Sequence, residues 1–220
     1  MKKISSVVLF LILGSLILSG CSNSSQPFEE KNYTSDTEIK EIRLDVRDRE
    51  IEVSLSEDGK VHIKYYENSK EYYDISVTEE NVLTMTSASD KEWTDYIGGK
   101  PSAQNRKISL QIPNALLENL TLSTTNEDIT LSALTVTQSI NISSNGGNIA
   151  FGALSPGSAL TLNVKNGNIS GKIAGSYEDF AIQSEIKKGE SNLPDNKDSG
   201  EKKLNVTCNN GDVSIEFVKE

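Results

Sequence analysis

The chain has 220 residues, of which 22 are basic and 32 acidic, with one histidine and two cysteines. So acidic a balance repels phosphate backbones and anionic headgroups, which excludes nucleic acid as a partner. One histidine cannot furnish a metal cage or a catalytic triad, and two cysteines give no disulfide framework, so stability must come from a hydrophobic core.

Met1-Lys2-Lys3 is a basic start to an apolar run from Ile4 to Leu18. A membrane-spanning helix needs about 20 such residues, so this shorter run reads as the apolar region of a signal peptide. It ends in Leu18-Ser19-Gly20-Cys21, which resembles the lipobox of bacterial lipoproteins. The resemblance implies that residues 1–20 are a cleaved signal peptide and that the Cys21 thiol carries a diacylglycerol. It implies further that the new amino terminus receives an acyl chain such as palmitate. Two or more chains hold a protein stably at a membrane, so the expected location is the extracytoplasmic face of the bacterial cell membrane. Loss of Lys2 and Lys3 with the leader takes the formal charge to −12. Residues 21–38 are polar, contain a proline and lack periodicity; they read as a flexible tether.

From residue 39 to 220 the pattern is all-β. Ile42, Leu44, Ile51 and Val53 form apolar pairs two apart on either side of Asp48-Arg49-Glu50. Alternation continues at Val61/Ile63/Tyr65, Ile75/Val77, Leu83/Met85 and Ile108/Leu110/Ile112, where Pro113 ends the strand. Residues 87–106 break it, with Trp93, Tyr96, Gly98-Gly99 and Pro101 in a long excursion.

The core of the sequence is a repeat with a period of twenty. Leu120, Leu122, Ile129 and Leu131 become Ile140, Ile142, Ile149 and Phe151, then Leu160, Leu162, Ile169 and Gly171. Such a period predicts a single-domain β-solenoid, whose rungs bury their apolar faces by stacking. Phe180 and Ile182 begin a fourth rung on schedule, residues 187–203 interrupt it, and Leu204, Val206, Val213 and Ile215 resume it.

The turns align in columns: Asn126, Gly146, Asn166 and Asn210, then Gly147, Gly167 and Gly211, then Asp128, Asn148, Asn168 and Asp212. Asn-Gly suits tight turns that need positive φ, and stacked Asn side chains can bond along the axis. The rival reading is a calcium site or a glycosidase carboxylate pair. Rungs lie about 4.8 Å apart, which puts Asp128 and Asp212 roughly 14 Å or more apart. Glycosidase pairs need about 5–9.5 Å, so the columns read as structural turns.

Cys208 falls on an inward column with Thr124, Ser144 and Val164, as a core filler, and His62 points outward as a solvated strand residue. One cluster stands outside the repeat: Tyr65, Tyr66, Tyr72, Tyr73, Trp93 and Tyr96. It reads either as a ligand platform, since aromatic faces bind sugars and peptides, or as a cover for the solenoid's amino-terminal edge.

The closing segment from Leu204 to Phe217, the Asn-Gly-Asn-Ile units and the strand ending in Ile112-Pro113 are similar to the bacterial putative adhesin family. That resemblance implies a β-solenoid on an exported or membrane-linked protein, without catalytic residues or cofactor. The function expected is a non-catalytic, lipid-anchored binding or scaffold module of the cell surface. Its partners would be the membrane, through the anchor, and cell-wall glycan or an envelope protein. The alternatives are a regulatory lipoprotein of the envelope stress response and a glycan-processing β-helix enzyme.

Overall fold

Side chains alternate between the two faces of a strand, and every apolar pair of the repeat turns the same way. Leu120, Leu122, Ile140, Ile142, Leu160 and Leu162 are all at most 1% exposed. The computed structural model describes residues 27–92 and 99–219. The leader, Cys21, the first tether residues, Trp93 and Tyr96 lie outside them. In chain order the strands are β1 (Glu29–Thr34), β2 (Glu41–Asp45), β3 (Glu50–Leu55), β4 (His62–Glu67), β5 (Glu71–Val77) and β6 (Val82–Ser89). Then come β7 (Lys107–Ile112), β8 (Asn119–Thr124), β9 (Ile129–Leu131), β10 (Leu134–Val136), β11 (Ser139–Ser144) and β12 (Ile149–Pro156). The last are β13 (Ala159–Asn166), β14 (Ile169–Ala174), β15 (Phe180–Ile186), β16 (Asn196–Lys197), β17 (Lys202–Asn210) and β18 (Val213–Val218).

They form an all-β solenoid of two nine-stranded sheets. Sheet I runs β1-β4-β7-β3-β9-β12-β14-β18, with β10 beside β12; sheet II runs β16-β15-β17-β13-β11-β8-β2-β6-β5. Each regular rung gives one strand to each sheet, and the inward side chains of both fill one continuous core. In the middle the stacking is parallel at an offset of twenty. Leu120, Ile140 and Leu160 pair in sheet II, and Ile129, Ile149 and Ile169 in sheet I. Gly171, the one non-apolar member of the repeat, is required by its neighbour. A Cβ there would lie 2.3 Å from the ring of Phe151, which covers the position.

Both ends depart from sequence order. The rung stacked on Leu160 belongs to Leu204, and Ile182 pairs on the far side of Leu204. The fourth rung therefore does not begin at Phe180. The chain first builds the outermost rung with β15, then returns to lay β17 and β18 into the gap. Residues 187–203 are part of that cap: Ser191 bridges Val213, Leu193 is buried, and β16 runs antiparallel to β15. The amino-terminal end mirrors this, for β2 lies between β6 and β8, and β3 between β7 and β9.

The tether is shorter than 21–38. Glu29–Thr34 pairs antiparallel with β4, and Ser35 is buried. Backbone pairing orders this segment, since its outward residues are polar and Tyr33 alone packs against the core. At the other end the edge of β18 is closed by a side chain. Asn192 donates Nδ2–H to the Ile215 carbonyl (2.8 Å) and accepts the Ile215 N–H at Oδ1 (3.0 Å), standing in for one peptide of a further strand.

Candidate functional site

The aligned turn residues form one continuous ladder along the solenoid. The Asn148 N–H donates to Asp128 Oδ1 (2.7 Å), Asn168 N–H to Asn148 Oδ1 (2.9 Å), and Asp212 N–H to Asn168 Oδ1 (2.8 Å). The cap continues it, with Glu190 N–H on Asp212 Oδ1 at 2.9 Å. Alongside, Asn210 Nδ2 donates to Asn166 Oδ1 (2.7 Å) and Asn126 Nδ2 to Asp48 Oδ1 (2.5 Å). Gly167 and Gly211 have φ of 149° and 147°, and a Cβ on Gly211 would sit 2.0 Å from the Gly167 carbonyl oxygen. Gly146 packs less closely on Asn126, where a Cβ would meet Oδ1 at 2.9 Å. An Asx oxygen in this column accepts a backbone N–H of the next rung, so it is engaged in stacking. Among the described residues no three His, Cys, Asp or Glu side chains are grouped to hold a metal ion.

The described tyrosines Tyr65, Tyr66, Tyr72 and Tyr73 do not gather into one platform. Tyr65 on β4 and Tyr73 on β5 turn inward from opposite sheets and meet edge to face, ring centroids 5.2 Å apart. Tyr66 turns outward, its hydroxyl donating to Glu30 Oε2 at 2.7 Å. Tyr72 lines a shallow, open groove of about 490 Å³ at this end, with Glu29, Lys31, Glu67 and Tyr73. Adjacent residues of a strand face opposite ways, so the Tyr65-Tyr66 and Tyr72-Tyr73 doublets had to divide. Trp93 and Tyr96 lie outside the described residues.

What holds this end together is a buried charge network. Arg49 is 4% exposed. Its Nη2 pairs with Glu71 Oε2 (2.7 Å), its Nη1 donates to the carbonyls of Arg47 (3.3 Å) and Asp48 (3.1 Å), and its Nε donates to the Tyr73 hydroxyl. Lys91 Nζ takes the other oxygen of Glu71 at 2.6 Å. Burial pulls the Glu71 carboxyl upward, but the hydrogen bonds from Arg49 and Lys91 outweigh it and hold it below the usual carboxylate range. Burial likewise opposes the Arg49 charge, and Tyr73 and Glu71 more than restore it. The Tyr73 hydroxyl is pushed up by burial. Arg49, Glu71 and Lys91 share no period, and no motif in the sequence marks them.

His62 has partners: Nε2 lies 2.9 Å from Asp58 Oδ1, and Nδ1 lies 3.0 Å from Thr34 Oγ1. Cys208 is fully buried, with Sγ 3.3 Å from the Gly211 carbonyl, and burial pushes its thiol up, away from the nucleophilic thiolate.

The chain resembles proteins of known structure. A putative cell adhesion protein of Clostridium sporogenes superposes with a TM-score of 0.55 at 11% identity, over 86% of this chain and all of that one. A putative adhesin of Bacteroides fragilis, at 13% identity over 88% of this chain and 98% of that one, superposes only loosely, with a TM-score of 0.36. No curated protein matches. The family model described as Toastrack DUF4097 matches residues 39–219. That span takes in every strand but β1, and the chain belongs to this Toastrack family.

Proposed function

We propose that the protein is a lipid-anchored binding or scaffold module on the extracytoplasmic face of the bacterial cell membrane, with no catalytic role. The observation that carries the non-catalytic part is the turn ladder. It engages one oxygen of each repeated Asx side chain in a bond from one rung to the next, which gives the column a structural duty. The anchor rests on the Leu18-Ser19-Gly20-Cys21 segment. Because β1 begins at Glu29, only the seven residues 22–28 separate Cys21 from the folded body. Fully extended, they reach about 25 Å. The β1 end of the solenoid would thus stand close to the membrane and the β15 end farthest from it.

Detergent phase partitioning of Cys21→Ala against the native chain tests the anchor. The native protein should enter the detergent phase and the variant the aqueous phase, because an acidic body has no affinity of its own for anionic lipid. A variant that still follows the detergent would sink the lipoprotein reading.

A further inference from the structure

The outward positions at the centre of sheet II form a regular grid. Parallel pairing sets Thr121, Asn141 and Thr161 side by side, with Ser123, Ser143 and Asn163 in the next row. Asn205 and Thr207 carry both rows onto β17. Strands lie about 4.8 Å apart and alternate residues about 6.7 Å apart along each strand, so eight short hydroxyl and amide groups share a rigid lattice. Asn163 is exposed and the other seven are partly exposed between their neighbours. Among the described residues none of these eight side chains has a hydrogen-bond partner.

Charge is missing from this grid, although a quarter of the chain is charged. The two rows become charged only where they reach Arg43 and Asp45 on β2 and Glu185 on β15. Charge on this outer face lies around the grid, at Lys165 on β13, Lys203 on β17 and the Arg43–Glu41 pair on β2.

We propose that this face binds an uncharged, polyhydroxylated polymer, a neutral polysaccharide lying against the rows. The inference rests on the surface-module reading above and is independent of the anchor. An acidic body repels anionic polymers, and the eight grid positions have no charge to desolvate on contact. Ser, Thr and Asn each offer donor and acceptor capacity, as sugar hydroxyls do. Their short side chains lose little rotamer freedom when fixed. The grid carries no aromatic ring to stack on a sugar, so each residue of the polymer is held weakly and affinity comes from repetition. A monosaccharide should therefore not compete.

Co-sedimentation of the full chain, in mild detergent, with insoluble chitin and cellulose particles tests this. Two variants add the same charge to opposite faces: Asn141→Glu/Thr161→Glu on sheet II and Thr130→Glu/Ser170→Glu on sheet I. The native chain and the sheet I variant should be retained equally. The sheet II variant should bind about tenfold more weakly, the effect of about 1.4 kcal/mol. No retention of the native chain on either particle overturns the proposal, and so does equal loss in both variants. A dimer that sedimentation velocity shows to be dissolved by the sheet II substitutions overturns it too, in favour of a second copy as occupant. Cys21→Ala in the same assay separates the two readings, because a lost anchor should leave polysaccharide binding unchanged.

Discussion

Single residues decide how one rung sits on the next. The Gly171 position shows how a break in a repeat can itself be informative. The missing side chain is where Phe151 lies, and a large residue beside a missing one is visible in the twenty-residue alignment. Arg49 was not legible in that way. It stands in a polar turn whose composition suggests exposure, and only the stacking of β5 over that turn buries it. Its removal from water makes Glu71 a strong test. Glu71→Gln leaves Arg49 buried without its close carboxylate, which costs about 3–5 kcal/mol for a broken buried pair. The native pH dependence should follow from the sign of the shift. The Glu71 pKa is lower folded than unfolded, so its contribution is present above the unfolded value and fades as pH falls through the folded one. Chemical denaturation below about pH 5 should show the native chain losing more stability than Glu71→Gln. Parallel curves for the two would mean that Glu71 is not the depressed carboxylate.

Single elements are legible in the sequence, and their order is less so. Apolar pairs marked the strands, and the turn residues marked where each rung bends. Stacking order was not legible at the ends, because Phe180/Ile182 and Leu204/Val206 show the same alternation and either pair could follow Leu160. A sequence repeat measures distance along the chain, whereas rungs choose neighbours by which gap is left to fill. The true length of the tether is hidden for a related reason. Residues 29–34 have little to bury, and their order comes from backbone pairing with β4, which leaves no mark in hydropathy. The inserted rung has a consequence for truncation. Removing residues 202–220 deletes β17 from between β13 and β15, and β18 from beside β14, so the damage falls inside the stack. That variant should show no cooperative thermal transition. Removing residues 27–35 takes β1, a true edge strand, and should lower the midpoint while preserving one sharp transition. Comparable melts from the two truncations would contradict the stacking order described.

At the scale of the whole molecule, a solenoid should tolerate loss of a complete period and fail on loss of half of one, because each rung touches only its neighbours. Deleting Thr135–Leu154 joins Leu134 to Ser155, and Ser155 already pairs with Thr135 at the offset of twenty. The junction keeps register. Leu122 can then stack on Leu162, and Asn168 N–H can find Asp128 Oδ1 where Asn148 stood, since the two acceptors share a column. Burial of Ile140, Ile142, Ile149 and Phe151 is lost, about 6–12 kcal/mol gross, but ordering twenty residues costs a comparable amount that is no longer required. Leu131 would fall over Gly171 in place of the Phe151 ring and fill it incompletely, leaving a small cavity worth about 1–3 kcal/mol. Deleting only Thr135–Ser144 removes β11 from sheet II while leaving β12 in sheet I, so the two sheets no longer match and every later turn is misplaced. Circular dichroism melts should show a folded β protein with one transition for the twenty-residue deletion and a broad, shallow change for the ten-residue one. In a sandwich whose strands pair with distant segments both deletions would be equally harmful, and equal loss of cooperativity would therefore rule out independent rungs.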